Sequence, residues 1–122
     1  MAVNLKTIVD ALNLRVYSGF DRLDTEVLDG YTGDLLSDVM ANSKEGDLWL
    51  TRQVHQNIIA VASLKEHAGI IVVQGAEPSK DTLEKALKEN VTVMGTDLSG
   101  FEAAGIIFNI LNEYKVIASI DS

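Results

Sequence analysis

Residues 47–73 read DLWLTRQVHQNIIAVASLKEHAGIIVV, and this stretch decides the fold. Residues 47–50 are mostly apolar and residues 70–73 wholly so, which is typical of short strands buried on both faces of a sheet. Residues 56–67, between them, have the pattern of a helix that ends at Gly69. Because parallel neighbours need a crossover of about a dozen residues or more, the stretch predicts a strand–helix–strand unit with parallel strands.

The same alternation continues towards the C-terminus. Residues 81–89 and 99–113 have helical patterns, and residues 91–94 form another short apolar run. Both helices begin with a capping-box pair, Asp81 with Glu84 and Ser99 with Glu102. We therefore predict a βαβαβα unit from residue 47 onward with right-handed crossovers, in a three-layer α/β/α domain with a mostly parallel central sheet.

The N-terminal half is less regular. Apolar residues at helical spacing predict a helix over residues 4–12, with Asn4 as its N-cap. Two short strands are predicted at residues 14–17 and 26–28, followed by a turn at residues 30–33 and a helix from Gly33. For residues 114–122, a final short strand and a tail released from the last helix both remain open.

Composition bounds the class of protein. The 122 residues carry a formal net charge of −8 and no cysteine. The acidic charge would repel a phosphate backbone, so no nucleic-acid partner is expected, and the absence of cysteine suits a reducing compartment. There is no signal-peptide pattern and no apolar run near the ~20 residues that span a bilayer. We expect one cytoplasmic domain, residues 1–122, with no membrane association.

Candidate site residues follow from the predicted sheet. Ligands of open α/β sheets bind at the carboxyl ends of the strands, which selects residues 30–34, 51–57, 74–79 and 95–99. The predicted ligand-binding residues are Gly30, Tyr31, Thr32, Gly33, Asp34, Thr51, Arg52, Gln53, His55, Asn57, Gly75, Thr96 and Ser99. We expect no catalytic residue, no metal site and no cofactor.

The loop TRQVHQN, residues 51–57, is the segment densest in polar groups. Arg52 and the amides of the following helix would suit an anion. A solvated loop in which His55 or Asn57 only caps the helix explains the same residues equally well.

The segment GYTGD, residues 30–34, is the second candidate. Two glycines would let backbone amides approach a ligand, and Tyr31 would supply a stacking face. A tight turn from a strand into a helix needs the same residues without any ligand.

Familiar chemical motifs are absent from the sequence. There is no GxxxxGK[ST] and no GxGxxG, and no serine lies in a GxSxG or SxxK pattern. His55 and His67 lie twelve residues apart on one predicted helix, about 18 Å, so they cannot share a metal ion within one chain. His67 is expected at the helix end, where a cation interacts favourably with the helix dipole.

Residues 30–75, GYTGDLLSDVMANSKEGDLWLTRQVHQNIIAVASLKEHAGIIVVQG, resemble the central block of the DRTGG family. Small stand-alone members have a glycine–tyrosine turn, a DLLSDVM helix, a D-hydrophobic-W strand, a T-x-Q-x-H-x-N loop and an alanine-rich helix. The resemblance continues through Glu77-Pro78 and SGFE at residues 99–102, whereas the DRTGG pentapeptide itself is absent.

The resemblance implies a function as well as a fold. The family is similar to the N-terminal domain of HPr kinase/phosphorylase, which implies a three-layer α/β domain without the separate P-loop domain of that kinase. DRTGG domains accompany CBS pairs and phosphotransacetylase-type enzymes, which implies a regulatory, ligand-sensing role. Stand-alone members are often encoded near iron-only hydrogenase genes, which implies a partner protein in that redox system.

Three hypotheses about function follow. The first is a non-catalytic regulatory module that senses a nucleotide or an anionic metabolite, binds a partner protein, or does both. The second is an interaction module, with a homodimer favoured, that shares apolar surface such as Leu35, Leu36, Trp49 and Phe108. The third is a small enzyme with His55 as general base.

Overall fold

The computed structural model describes residues 2–121. Within them, five helices and five strands follow one another as α1 (Leu5–Leu12), β1 (Arg15–Ser18), β2 (Asp29–Thr32), α2 (Leu36–Asn42), β3 (Asp47–Thr51), α3 (Asn57–Lys65), β4 (Gly69–Val72), α4 (Lys80–Glu89), β5 (Val93–Gly95) and α5 (Gly100–Asp121). A short 3-10 helix, Phe20–Arg22, lies between β1 and β2.

The five strands form one sheet in the order β1-β5-β4-β3-β2. β2, β3, β4 and β5 are parallel to their neighbours, and β1 pairs antiparallel with β5 at one edge. The three interior strands, β3, β4 and β5, are buried along their whole length, as their apolar sequences predict. The prediction of a mostly parallel sheet is confirmed.

Helices cover both faces of the sheet. Because side chains alternate along a strand, Leu48 and Leu50 lie in a core with α1 and α5, whereas Trp49 lies in the opposite core with α2, α3 and α4. The three-layer α/β/α prediction is therefore confirmed. The crossovers through α2, α3 and α4 lie on one face and advance in one direction from β2 to β5, so they share one hand; their right-handedness stays a prediction.

Helix starts follow their capping chemistry. Asn4 caps α1 by accepting a hydrogen bond from the Thr7 amide at 3.0 Å, and Ser99 forms the predicted capping box with Glu102. The predicted Asp81 cap of α4 is wrong, because Ser79 takes that position in extended conformation and its hydroxyl accepts from the amide three residues on.

The second strand lies later than predicted. Residues 26–28 were expected to form it, but the strand is Asp29–Thr32, and only Glu26 makes an isolated bridge, to Asn4. Val27 is instead buried in the core under α1, with its amide donating to the Val3 carbonyl at 2.8 Å. The glycine-containing segment that sequence reasoning treated as a turn therefore pairs with β3.

The C-terminal segment continues the last helix. α5 extends through 22 residues to Asp121, so the alternatives of a final strand or a released tail are both wrong for residues 114–121, and residue 122 lies outside the described residues. Within residues 2–121, α5 is also long and apolar enough, by length and composition only, to cross a membrane. Its buried side chains, Ala103, Ile107 and Leu111, pack in the core with β3.

Two aromatic side chains expected elsewhere lie in the core. Trp49, expected on a shared surface, is fully buried and donates its indole N–H to the Gly33 carbonyl at 2.9 Å. His67, expected as a charged helix cap, is only 5% exposed, and its ring meets the edge of Trp49 at a centroid distance of 5.6 Å.

The hydrogen bonds of His67 define its neutral form. Its Nε2 lies 2.8 Å from the Ser43 hydroxyl, which itself donates to the Val39 carbonyl at 2.6 Å. Nε2 must therefore carry the hydrogen, which leaves Nδ1 buried without a partner among the described residues. Burial lowers the pKa of His67, a shift that Asp47 opposes and Lys65 reinforces.

The free energy of unfolding should therefore fall as the pH drops below about 6.5. In this range the histidine binds a proton in the unfolded chain but stays neutral in the folded protein. The slope attributable to His67 approaches at most about 1.4 kcal/mol per pH unit. Urea unfolding between about pH 7.5 and 5.5 should show this fall in stability in the wild type and in His55→Gln, a control at an exposed histidine. The His67→Gln variant should lack it. An unchanged slope in His67→Gln would contradict a neutral buried histidine.

Candidate functional site

The four segments predicted to bind a ligand converge at one edge of the sheet. β2, β3, β4 and β5 are parallel, so their carboxyl ends, Thr32, Thr51, Val72 and Gly95, all lie at this edge. The loops that follow are tied to one another by backbone hydrogen bonds, such as that from the Gly75 amide to the Thr96 carbonyl at 2.9 Å. The edge is a continuous surface of loop residues.

Asp34 connects the loops that follow β2 and β3. Its Oδ1 accepts hydrogen bonds from the Thr51 hydroxyl at 2.8 Å and from the Arg52 amide at 2.7 Å. In the opposite direction, the Gln53 side-chain amide donates to the Asp34 carbonyl at 2.9 Å. Four of the predicted site residues therefore form one hydrogen-bonded cluster.

A small cavity lies beside this cluster. It measures about 160 Å³ and is lined by residues of the loops after β2, β3 and β4 and of the start of α5: Thr32, Gly33, Asp34, Leu50, Thr51, Arg52, Val73 and Gly100. The Arg52 side chain is exposed, and within residues 2–121 its guanidinium forms no ion pair or hydrogen bond. The cavity thus has mostly apolar walls, with Arg52 and the Asp34–Thr51 pair among its polar members.

The N-terminus of α5 faces the same cavity through Gly100. The first amides of a helix lack intrahelical partners, and the dipole of a helix favours negative charge there. The capping box provides a partner for one of these amides, because the Ser99 hydroxyl accepts a hydrogen bond from the Glu102 amide at 3.1 Å. Ser99 therefore acts in this structure as the cap of α5.

Gly30 and Tyr31 lie in β2 and not in a turn, which corrects the interpretation of GYTGD as a turn into a helix. The Tyr31 hydroxyl donates to Asp38 at 2.6 Å, and this bond to a carboxylate raises the pKa of the tyrosine. Tyr31 is half-buried against α2, whereas Gly30 lines a separate groove on the other face of the sheet. Their contact with a ligand stays a prediction.

Three other predicted residues have structural partners. Thr96 is buried and its hydroxyl accepts from the Leu98 amide at 3.1 Å. His55 accepts a hydrogen bond from the Asn57 amide through Nδ1 at 3.2 Å, so it caps the start of α3. The capping alternative considered for the TRQVHQN loop is therefore present, and His55 keeps only Nε2 for any proton transfer.

Sequence reasoning missed a second arginine at this edge. Because β1 runs antiparallel, its first residue, Arg15, lies beside the end of β5 and forms an ion pair with Asp97 at 3.2 Å. The Arg15 Nε also donates to the Tyr17 hydroxyl at 3.3 Å, and these partners raise the pKa of the guanidinium. Only the strand order reveals this placement, and no local sequence signal carries it.

Comparisons with known proteins bear on the fold. No family model matches the sequence, and no curated protein does either. The structure is similar to the CBS and DRTGG domains of the regulatory region of Clostridium perfringens pyrophosphatase, a structure solved in complex with its activator, diadenosine tetraphosphate. The TM-score is 0.69 at 24% identity, over 85% of this chain and 45% of that chain. At this identity the likeness shows the fold alone.

Replacing Asp34 by alanine should lower the free energy of unfolding by about 1–2 kcal/mol, because the Thr51 hydroxyl and the Arg52 amide lose their acceptor. Urea unfolding would measure the change. Asp34→Asn keeps one acceptor oxygen and should recover about half of it, whereas the exposed Asp24→Ala should stay within about 0.5 kcal/mol of wild type. Equal effects of Asp34→Ala and Asp24→Ala would disprove the role of this cluster.

Proposed function

We propose that the protein is a non-catalytic regulatory module that senses a small anionic ligand, a nucleotide or a phosphorylated metabolite, at the carboxyl edge of its sheet. The observation that carries this proposal is that Arg52, whose guanidinium has no ion pair among residues 2–121, lines a cavity that also includes the start of α5. An arginine and a helix N-terminus are both groups that proteins use to bind phosphate.

The electrostatics of the cavity suit a phosphate group despite the net charge of −8. The Asp34 Oδ1 already accepts two hydrogen bonds, so the Arg52 guanidinium and the start of α5 supply the attraction that an anion needs beside this carboxylate. Arg52 can offer two parallel N–H groups, and its exposed position lets the guanidinium turn towards the cavity without breaking another contact within the described residues.

The cavity volume limits what lies inside it. Pockets for drug-sized ligands measure about 300–1,000 Å³, whereas this cavity measures about 160 Å³. A phosphate or carboxylate group fits, and a whole nucleotide does not. The sugar and base of a nucleotide would therefore lie outside, over the loop that carries Gln53, His55 and Asn57.

A regulatory role is supported over a catalytic one. The polar groups nearest the cavity hold structural bonds: the Thr51 hydroxyl donates to Asp34, and it also accepts from the Gln53 amide at 3.1 Å. The fold likeness to a regulatory region with a nucleotide activator supports the same class of ligand. The DRTGG resemblance further supports a relation to the N-terminal domain of HPr kinase and a partner in a hydrogenase or redox system. The composition of the chain supports a cytoplasmic location, and its high aliphatic content supports self-association.

A thermal-shift series with inorganic phosphate, acetyl phosphate, a sugar phosphate, AMP and ATP would test the proposal. A probe that binds only the folded state at ~100 times its Kd stabilises it by about 2.7 kcal/mol, which raises the Tm by several degrees. Arg52→Gln should weaken the effective probe at least about tenfold. The absence of a shift with every probe would refute an anion site.

Arg22→Gln provides the matched control. It removes an arginine from the opposite edge of the sheet, where Arg22 donates to the Asn90 carbonyl at 3.0 Å. This variant loses the same formal charge as Arg52→Gln, so a specific site predicts that its probe affinity stays near that of the wild type. Equal weakening in the two variants would indicate a general charge effect.

A further inference from the structure

One side of α5 is apolar and uncovered. Phe101 is 91% exposed and Phe108 is 67% exposed, although phenylalanine is usually buried in a core. Phe108 also forms one wall of a groove of about 380 Å³ between α5 and β2, which is the edge strand of the sheet. The described chain leaves both the helix side and the sheet edge open.

The spacing of this side matches a helix–helix seam. Phe101, Gly105, Phe108 and Asn112 follow one another at intervals of four, three and four residues, and all four are exposed. At 100° per residue they fall within a sector of about 60°, which is the geometry of the contact line between two packed helices. We call these four residues the α5 seam.

The α5 seam is complementary to itself. When two copies of α5 lie antiparallel about a twofold axis between residues 106 and 107, Phe108 of each copy meets Gly105 of the other. Phe101 then meets Asn112. A Cβ atom at Gly105 would meet nothing within 4 Å, so the single chain has no packing reason for a glycine that weakens its longest helix. A large ring opposite a glycine supplies that reason.

The exposed apolar area of the α5 seam equals that of the largest patch on a typical soluble protein, a kind of patch that is often functional. At ~200 Å² for a fully exposed phenylalanine side chain, the two rings expose roughly 300 Å². The groove walls and the open edge of β2 continue this surface towards the ~800 Å² that each partner of a stable interface buries.

Charge favours a second copy over a lipid surface. α5 carries Glu102 and Glu113 against the single cation Lys115, as well as exposed Asn109 and Asn112, and the whole chain has a net charge of −8. An anionic membrane surface repels such a protein, and the buried side of α5 is already committed to the sheet. Nothing polar interrupts the α5 seam between Phe101 and Phe108 except the helix backbone at Gly105.

We infer that the protein forms a twofold-symmetric homodimer through the α5 seam and the adjoining groove along β2. Each copy inserts Phe108 against Gly105 of the other, as an isologous contact requires. This surface differs from the one expected from sequence, because Trp49 is buried and only Phe108 is common to both. The dimer does not involve Arg52, so the tests of the dimer and of the anion site are independent of each other.

Light scattering at micromolar concentration tests the inference directly. The wild type should have twice the chain mass of 13.2 kDa, and Phe108→Asp should weaken the dimer by more than about 30-fold, as loss of a central aromatic anchor does. Leu87→Asp is the matched control, because Leu87 of α4 is 61% exposed and lies in a different layer. A wild type of single-chain mass, or a dimer equally weakened by Leu87→Asp, would overturn the inference.

The variant Gly105→Gln distinguishes an effect on the dimer interface from an effect on folding. Since the site is open in the single chain and glutamine is a better helix former than glycine, the variant should fold with equal or higher helix content by circular dichroism. It should nevertheless lose the dimer, because the longer side chain occupies the place of Phe108 of the mate. A Gly105→Gln protein that still dimerises with wild-type affinity would exclude this seam.

Cysteine cross-linking reports the symmetry, since the chain contains no cysteine. Phe108→Cys should link to itself through a short thiol-reactive reagent, whereas Leu87→Cys should not. Sedimentation with phosphatidylcholine and with phosphatidylserine vesicles completes the test. A wild type that is monomeric and binds either vesicle would assign the α5 side to a membrane instead and refute the dimer.

Discussion

The burial of β3 on both faces is the constraint on which the rest of the structure depends. Leu48 and Leu50 fill the core under α1 and α5, while Trp49 fills the core under α2 and α3. The Trp49 indole N–H has no water to bond there, and it donates to the Gly33 carbonyl. That bond fixes where the chain leaves β2, so the packing of one strand also positions the loop that carries Asp34.

Sequence alone predicted the elements whose cause is local. β3, α3 and β4 follow from uninterrupted apolar runs around a helical pattern, and the start of α5 follows from the Ser99 cap. β2 could not be found in this way, because Gly30 has poor strand propensity and the more apolar residues before it belong to the core under α1. Pairing with β3, a tertiary contact, decides where that strand lies.

The residues of the candidate site likewise fall into those that local sequence predicts and those that only the tertiary structure reveals. The rule that ligands meet the carboxyl ends of strands selected Asp34, Thr51 and Arg52 correctly as neighbours, since it needs only the order of elements along the chain. The rule stopped one residue short of Gly100, and it cannot find Arg15, which reaches this edge through an antiparallel strand. The position of Arg15 depends on the strand order, which no pattern in the sequence encodes.

α5 connects the two proposals physically. Its first turn lines the cavity beside Arg52, and its open side, beginning one residue later at Phe101, faces the proposed mate. A ligand that draws the first turn of α5 towards Arg52 acts on a rigid helix whose next two turns carry Gly105 and Phe108. Coupling between two binding equilibria is reciprocal. If the ligand strengthens the dimer by some factor, the dimer binds the ligand more tightly than the monomer does by the same factor. Under the two proposals, a helix with a ligand at one end and a second copy along its side would physically connect ligand binding to assembly.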